Sequence, residues 1–282
     1  MLVPLAGGGQ ETLLSEVGFV LLPFFTTRDA CVLRLVCREF LAAVSEQPWE
    51  DRDTVIMGCI AAWRACFPHA RCANVCKEDM NSDDEMRAAP VVDADFVHFE
   101  GLRELYMESC KGITDAAFVH LRGIHTLDMS NCDQVTITDA AFAHLAGVQR
   151  LCIEGCDQAT ITDAAFTHLR GIQLLNMSLC MQFTDAAFVH LRGIHTLYMW
   201  YCDQPTITDA AFVHLRGIHT LVMEHCHQDT ITGANFSCIR GVFALYMYSC
   251  SDVAIATAQS LGISVFVREG NYGAVEYGPP KG

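Results

Sequence analysis

The sequence contains few positive charges. It has 18 lysine and arginine residues against 33 aspartate and glutamate residues, for a formal net charge of -15 at pH 7. Proteins that bind nucleic acid usually carry a basic patch that contacts the phosphates, so this balance argues against a nucleic-acid partner. A protein partner of basic character is the favoured alternative.

Long hydrophobic runs are also missing. The longest apolar run, residues 17–25, is far shorter than the roughly 20 residues that a membrane-spanning helix needs, so no membrane partner is expected. No basic leader precedes the first apolar residues, and we therefore expect no secretory signal. The 15 cysteines lie in a chain that is neither small nor visibly secreted. This favours free thiols in a reducing compartment, the cytoplasm or the nucleus.

Motifs that carry catalysis are absent from the sequence. It contains no G-x-S-x-G, no H-E-x-x-H and no nucleophile with an ordered partner. Gly7, Gly8 and Gly9 do not form a phosphate loop, because no Lys-Ser/Thr pair follows them. We therefore expect a protein without catalytic residues or cofactors, and not an enzyme.

Histidines recur once per repeat between residues 98 and 214, in a pattern that could suggest a metal site. They are His98, His120, His144, His168, His190 and His214. A zinc site needs about four converging ligands, whereas these residues form a column, so duplication of a surface residue is the favoured interpretation. His69, Cys72 and Cys76 lack a second ligand pair. The sequence predicts no metal.

The main feature that is present is a repeated stretch, ITDAAFVHLRGIHTLDMSNC at residues 113–132. Near-copies occupy 137–156, 161–180, 183–202 and 207–226, and degenerate copies occupy 91–110 and 231–250. The cysteines that close the units are spaced by 22 or 24 residues. A fixed period of this length indicates a solenoid of stacked units, each burying its apolar side against its neighbours.

Each repeat contains two hydrophobic periods. Leu127 and Met129 alternate toward one side, which predicts a short strand. In residues 114–123 the apolar positions fall on one helical face, with Thr114 where an N-cap belongs and Gly123 where a helix ends with positive φ. One strand and one short helix per unit therefore predict a stack of parallel strands.

This pattern resembles the cysteine-containing leucine-rich repeat, L-x-x-L-x-L-x-x-C-x-x-I-T-D, over residues 91–250. Methionine usually takes the second strand position, and phenylalanine takes the helix position. The resemblance implies an α/β right-handed solenoid with strands on the concave face and helices on the convex face. It also implies that the repeat cysteines are buried thiols, namely Cys110, Cys132, Cys156, Cys180, Cys202, Cys226 and Cys250.

Residues 11–50 resemble an F-box, the small all-α module that docks on the Skp adaptor of cullin ubiquitin ligases. The most specific part is the L-x-L-V-C-R core at residues 33–38. The resemblance implies that adaptor contacts come from Leu21, Leu22, Phe25, Leu33, Leu35, Val36, Cys37, Arg38 and Trp49. In this sequence Leu13 and Leu14 stand where the family has Leu-Pro, and Pro23 falls inside an expected helix.

The remaining segments are interpreted as caps and loops. Residues 51–90 are predicted to form a cap of the solenoid, with a helix over about 53–66, a short extended piece and then an acidic loop. Residues 251–282 are predicted to hold a degenerate eighth helix and strand at 254–267, followed by a tail.

Variation within near-identical repeats marks the candidate binding face. Strand positions that alternate with the inward residues differ from unit to unit, are acidic in the N-terminal half and are aromatic in the C-terminal half. Aromatic residues are enriched in protein interfaces. The predicted partner-binding residues are Tyr106, Glu108, Asp128, Glu154, Tyr198, Trp200, Tyr201, Glu224, Tyr246 and Tyr248.

Together these features predict an interaction adaptor, a substrate-recognition subunit of a cullin-type ubiquitin ligase that binds its protein substrate on the concave face. The alternative is a structural or scaffold protein with a vestigial F-box, for example a component of a large or viral assembly. Adaptor binding distinguishes the two.

Overall fold

A computed structural model of the protein describes residues 22, 25–36, 38–76 and 90–267. Among the predicted features, Leu13, Leu14, Leu21, Pro23 and Cys37 lie outside the described residues. So do the acidic loop at 77–89 and the C-terminal tail from residue 268.

The described chain is built around one sheet of nine parallel strands whose spatial order is the order of the sequence. The strands are β1 Cys72–Asn74, β2 Glu104–Tyr106, β3 Thr126–Asp128, β4 Arg150–Cys152, β5 Leu174–Asn176, β6 Thr196–Tyr198, β7 Thr220–Val222, β8 Ala244–Tyr246 and β9 Val265–Phe266. Seven of them belong to the predicted repeats. β1 and β9 extend the stack at its two ends.

Short helical segments connect the repeat strands, as predicted. Each is one or two turns of α or 3₁₀ helix: Asp93–Phe99, Asp115–Phe118 with Val119–Leu121, Asp139–Phe142 with Ala143–Leu145, Asp163–His168, Asp185–Phe188, Asp209–His214 and Phe236–Ile239. The Thr114 hydroxyl accepts a hydrogen bond from the Ala116 backbone nitrogen at 3.2 Å, which confirms the predicted N-cap. Gly123 has φ of 83°, the left-handed conformation that returns the chain to the sheet.

The core is continuous along the stack and has the predicted strand phase. Leu127 and Met129 are buried, as are Phe118 and Cys132 in the same repeat. Every repeat contributes the same positions, so each layer of side chains packs on the equivalent layer of its neighbours.

The repeat cysteines are hydrogen-bonded within this core. The Cys156 thiol donates to the Met129 carbonyl and the Cys226 thiol to the Met199 carbonyl, both at 3.1 Å. Each contact reaches into the preceding repeat, where the carbonyl belongs to the residue that directly follows the strand. The 14 described cysteines are all free thiols. The repeat cysteines therefore bind one unit to the next through hydrogen bonds.

A second ladder, which the sequence patterns did not reveal, joins the helix starts. In each rung an aspartate accepts from both the backbone nitrogen and the hydroxyl of a threonine in the following repeat. The rungs are Asp93–Thr114, Asp115–Thr138, Asp139–Thr162, Asp163–Thr184, Asp185–Thr208 and Asp209–Thr232. The same aspartate lies in the first turn of its own helix, where the helix dipole favours a negative charge.

The described part of the N-terminal region contains three α-helices, α1 Thr27–Leu33, α2 Arg38–Glu46 and α3 Ile60–Cys66. Leu22, Ala30, Val44 and Trp49 form a small core against Phe67.

The side chain of Trp63 packs against both this small core and the solenoid core. Arg64 donates from Nε to the His98 carbonyl at 2.7 Å and also contacts the Glu100 carbonyl. The helical region is therefore joined directly to the first repeat.

The helix predicted over 53–66 begins only at Ile60, so the first half of that prediction is wrong. The Asp51 carboxylate accepts from the backbone nitrogens of Asp53 and Thr54, and the Ile56 nitrogen donates to the Asn74 carbonyl. These bonds hold the segment in a turn and a short parallel bridge beside β1 instead of a helix. The extended piece that was predicted next is β1.

At the other end, the predicted eighth helix and strand are confirmed as Asp252–Ser260 and β9. β9 pairs with β8 and covers its edge. Within the described residues, no helix has the length and apolar character needed to cross a membrane.

Candidate protein-interaction surface

The strand side chains that point away from the core form parallel rows across the concave face of the sheet. Because the strands pair in register, equivalent residues of successive repeats are direct neighbours. The middle row contains Tyr106, Asp128, Cys152, Asn176, Tyr198, Val222 and Tyr246. The next row, toward the carboxyl ends of the strands, contains Glu108, Ser130, Glu154, Ser178, Trp200, Glu224 and Tyr248.

An aromatic cluster lies at the carboxyl ends of β6, β7 and β8, and we define it as Trp200, Tyr201, His225 and Tyr248. The rings of Tyr201 and His225 are stacked, with centroids 4.3 Å apart and planes at 7°. Trp200 meets Tyr201 edge-on at 5.2 Å, and Tyr248 meets His225 edge-on at 5.2 Å. All four side chains retain exposed surface, and Tyr201 is 41% exposed.

The position before each repeat cysteine adopts a left-handed backbone, and this places Tyr201 and His225 in the cluster. Their φ values are 55° and 56°, which bulky residues rarely adopt and which cost about 1–3 kcal/mol. Glycine occupies the equivalent position at Gly155 and asparagine at Asn131. Those two residues were a sequence signal for this conformation, because both tolerate positive φ.

The acidic half of the concave face is more enclosed than predicted. Asp128 is 8% exposed, and its carboxylate accepts from the backbone nitrogen and the hydroxyl of Ser130. Burial raises the pKa of Asp128, and the bonds from Ser130 oppose that rise. Asp128 is thus held inside the face in the free chain, and its predicted part in partner binding stays a prediction.

Glu154 and Glu108 remain reachable. Burial raises the pKa of Glu154 while a hydrogen bond from Asn176 Nδ2 to its Oε2, at 2.8 Å, lowers it, and the nearby charge of Asp128 adds to the rise. Glu108 is exposed and accepts from Asn131 at 3.2 Å. The negative charge of this half of the face is therefore concentrated on these two residues.

Glu224 is 5% exposed, and its predicted part in partner binding stays a prediction. It lies in the row between Trp200 and Tyr248, because the Tyr201 nitrogen bonds to the Glu224 carbonyl and the His225 nitrogen to the Tyr248 carbonyl. Glu224 also interacts with other groups of the fold. Glu224 therefore stands between two aromatic residues in the row order.

Charged residues that the sequence patterns did not single out lie beside Tyr106. Arg52 makes a two-pronged ion pair with Glu104, with Nε 2.6 Å from Oε2 and Nη2 2.7 Å from Oε1. Tyr106 donates to the same Oε2 at 3.2 Å, and burial raises the pKa of Tyr106. Arg150, on β4, is half-buried, and desolvation lowers the pKa of its guanidinium.

The residues implied as adaptor contacts divide into two groups. Leu35 and Val36 are 82% and 65% exposed in the turn after α1, and Phe25 and Arg38 are also exposed. Leu33 is half-buried. The side chains of Phe25, Leu35, Val36 and Arg38 are therefore accessible, whereas Leu33 packs partly against the small core.

Leu22 and Trp49 form the second group, because both are buried in the small helical core. The Trp49 indole nitrogen donates to the Val44 carbonyl at 2.8 Å. Both side chains therefore support the helical core in the free chain, and their predicted part in an adaptor contact stays a prediction.

The histidine column lies along the repeat helices, where its members are half-buried. His120 Nδ1 lies 2.6 Å from Glu100 Oε1. Burial lowers the pKa of His214, and the charge of Arg192 lowers it further. Among the described residues, no group of three or more histidine, cysteine or acidic side chains is arranged to hold a metal ion.

Comparison with protein-family models and with curated protein sequences gave no match. Among solved structures, the complex of TLR13 with ssRNA13 has a TM-score of 0.50 at 13% identity and covers 70% of this chain. The fold is a leucine-rich-repeat solenoid. This chain spans 28% of that TLR13 chain, and identity at this level shows the fold alone.

Two further solved structures align with the solenoid. A chain of the Rad7–Elc1 complex from yeast aligns at 15% identity with a TM-score of 0.43, covering 66% of this chain and 46% of its own length. A chain of the octameric complex of Latrophilin 3, Unc5D and FLRT2 (LRR) aligns at 13% identity with a TM-score of 0.39, covering 71% of this chain and 84% of its own length.

Proposed function

We propose that this protein is a substrate-recognition adaptor of a cullin-type ubiquitin ligase. In this proposal the N-terminal helical region binds a Skp-type adaptor, and the concave face of the solenoid binds the protein to be ubiquitinated. The observation that carries the proposal is the exposed apolar turn after α1, within the segment that resembles an F-box. Val32 is exposed beside Leu35 and Val36.

Exposure of the apolar side chains of this turn to water is unfavourable. Scattered exposed apolar residues are ordinary, but contiguous ones usually mark an interaction site. Leu35 and Val36 make no part of either hydrophobic core of the described residues. Their side chains are therefore accessible to a partner, as the F-box resemblance requires.

The concave face supports the second half of the proposal. Trp200, Tyr201 and Tyr248 are exposed or half-buried in a cluster, although the core does not require them. Tryptophan and tyrosine are enriched where protein interfaces derive most of their binding energy. A solenoid of this type offers such residues on rigid strands, which limits the entropy lost on binding.

The test is co-purification of a Skp-type adaptor with the full chain and with the double variant Leu35→Asp and Val36→Asp. We expect the double variant to lose the adaptor while its melting temperature stays within a few degrees of the parent. The control is Val253→Asp, which places the same charge at an exposed valine of the C-terminal helix. A folded double variant that still binds the adaptor would contradict the proposal.

A scaffold protein with a vestigial F-box is the second candidate. The observation in its favour is the integration of the helical region, through Trp63 and Arg64, into the end of the solenoid. In that case the helices act as a cap, and the parent protein does not retain a Skp-type adaptor under any condition in which the control folds.

A further inference from the structure

Two rings of the aromatic cluster, Trp200 and Tyr248, lie in one row with the carboxylate residue Glu224 between them. A purely apolar docking surface would not need this charged residue. Trp200, Glu224 and Tyr248 are neighbours in one row across β6, β7 and β8. Alternation places all three on the concave side, since Met199 and Met223 are buried in the core. Glu224 is the middle residue of the three, and it is almost fully covered.

Aromatic rings and a carboxylate attract the same class of ligand. The face of a tryptophan or tyrosine ring carries the negative part of its quadrupole and binds ammonium or guanidinium groups. A carboxylate in a poorly solvated position adds a Coulomb attraction that is much stronger than it would be in water. Both features therefore favour a cation.

The charged residues of the concave face also favour a cationic ligand. Along the described strand rows of the concave face lie the carboxylates of Glu104, Glu108, Asp128, Glu154 and Glu224 and one basic side chain, that of Arg150, while Arg52 beside β2 is paired with Glu104. Arg150 lies two strands away from β6, where the cluster begins. A cationic partner gains from this field before contact, whereas an acidic partner is repelled.

We propose that the aromatic cluster binds a cationic side chain, lysine or arginine, of a protein partner. The cation lies against Trp200 and Tyr248, above the Glu224 carboxylate. Tyr201 and His225 hold the edge of the site by their mutual stacking. This inference rests on the proposed function only in taking the concave face as the surface that binds a protein.

The test uses the full chain and short blocked peptides, Gly-Gly-X-Gly-Gly, in which X is lysine, arginine, acetyl-lysine or glutamate. Affinity is measured by isothermal titration calorimetry for the parent and for every variant. In the parent, contact at the site is also followed by NMR through the indole N–H signal of Trp200, which is assigned by its loss in Trp200→Phe. We expect saturable binding of the lysine or arginine peptide, at least tenfold weaker binding of the acetyl-lysine peptide and no binding of the glutamate peptide. Raising the salt concentration weakens the interaction, because part of it is electrostatic.

Variants separate the ring contribution from the carboxylate contribution. Trp200→Ala is expected to weaken binding of the cationic peptide at least tenfold. Glu224→Gln is expected to weaken it several-fold, and this substitution changes the shape of the side chain very little. Phe243→Ala is the matched control, because Phe243 is an exposed aromatic residue before β8, stacked on His219 and outside the cluster. Should Glu224→Gln fail to fold, Trp200→Leu with the four peptides still decides the result.

Several outcomes overturn the inference. Equal affinity for lysine and acetyl-lysine peptides, with both dependent on Trp200, leaves the concave face as an interaction surface but removes the cation preference. Absence of binding for every peptide, or binding unaffected by Trp200→Ala, removes the site itself. Loss of the Skp-type adaptor in the separate co-purification concerns the proposed function and leaves the peptide result standing.

Discussion

Asp115 accepts two hydrogen bonds from Thr138 of the next repeat, one from the backbone nitrogen to Oδ1 at 2.8 Å and one from the hydroxyl to Oδ2 at 2.7 Å. The threonine hydroxyl in turn accepts from the Ala140 backbone nitrogen at 3.1 Å. One carboxylate thus fixes the start of the following helix. The stack derives part of its cohesion from polar bonds at its surface as well as from its apolar core.

The first prediction concerns one rung of this ladder. Asp163→Ala removes the acceptor for the backbone nitrogen and hydroxyl of Thr184, which lie 2.9 and 2.6 Å from its two oxygens. We expect the free energy of unfolding to fall by about 1–3 kcal/mol, the range for loss of charged hydrogen bonds. Urea denaturation measures it. Asp157→Ala, at an exposed loop position, serves as the control and should change stability by about 0.5 kcal/mol or less. Equal effects in the two variants would show that the ladder contributes nothing.

The second prediction compares adjacent residues on opposite faces of one chain segment. Met199 is buried in the core, whereas Trp200 is half-buried on the concave face. Met199→Ala should cost about 2–5 kcal/mol by leaving a cavity. Trp200→Ala should cost about 1 kcal/mol or less, since the ring loses mainly its edge contact with Tyr201. Chemical denaturation of both variants gives the comparison, and a larger loss for Trp200→Ala would contradict the assigned function of that face.

The third prediction concerns the thiols. Burial raises the pKa of Cys156 and of Cys202 to about 12 in each case, so the thiolate that reacts with disulfide reagents is scarce at pH 8. We expect Ellman's reagent to label the exposed Cys59 quickly and the repeat cysteines only after unfolding. Mass spectrometry of the labelled protein locates the modified residues. Rapid labelling of Cys156 in the native protein would show that the repeats open locally.

The fourth prediction concerns the pH dependence of stability. Burial raises the pKa of Asp128 in the folded state, so the native protein holds its proton more tightly than the unfolded chain. Its contribution to stability therefore falls as pH rises from the ordinary aspartate range through the raised pKa. Asp128→Asn should stabilise the protein at pH 7, and the gain should disappear at pH 3, where the carboxyl is protonated in both states.

Asn176 shows that asparagine fits the position of Asp128, and Asp133 provides a control for the Asp128→Asn variant. Asn176 occupies the equivalent position on β5 and accepts from the Ser178 nitrogen at 3.0 Å, so an asparagine fits this site. Asp133 has the opposite behaviour, because its hydrogen bond from Lys111 lowers the pKa of the Asp133 carboxyl. Asp133→Asn should therefore bring no gain at pH 7. Denaturant titrations at several pH values measure both, and a loss of stability in Asp128→Asn at pH 7 would show that the buried charge is compensated.

Much of the solenoid could be predicted from residues close together in the sequence. The alternation of Leu127 and Met129, the threonine at Thr114 and the glycine at Gly123 each act on their own unit. Repetition then predicted parallel strands, because identical units stack only in register. The degenerate C-terminal helix and strand were also recognisable in this way.

Tertiary structure decided the features that depend on other repeats or on distant segments. Ile60 begins its helix late because Asn74 bonds to the preceding residues. Asp128 is buried beside Ser130, whose hydroxyl contacts Cys152 of the next repeat. The aromatic cluster exists because left-handed turns bring Tyr201 and His225 together from units 24 residues apart. Local patterns thus determined each coil of the chain. Contacts between coils, whose geometry no single repeat contains, decided which side chains are buried and which meet at the surface.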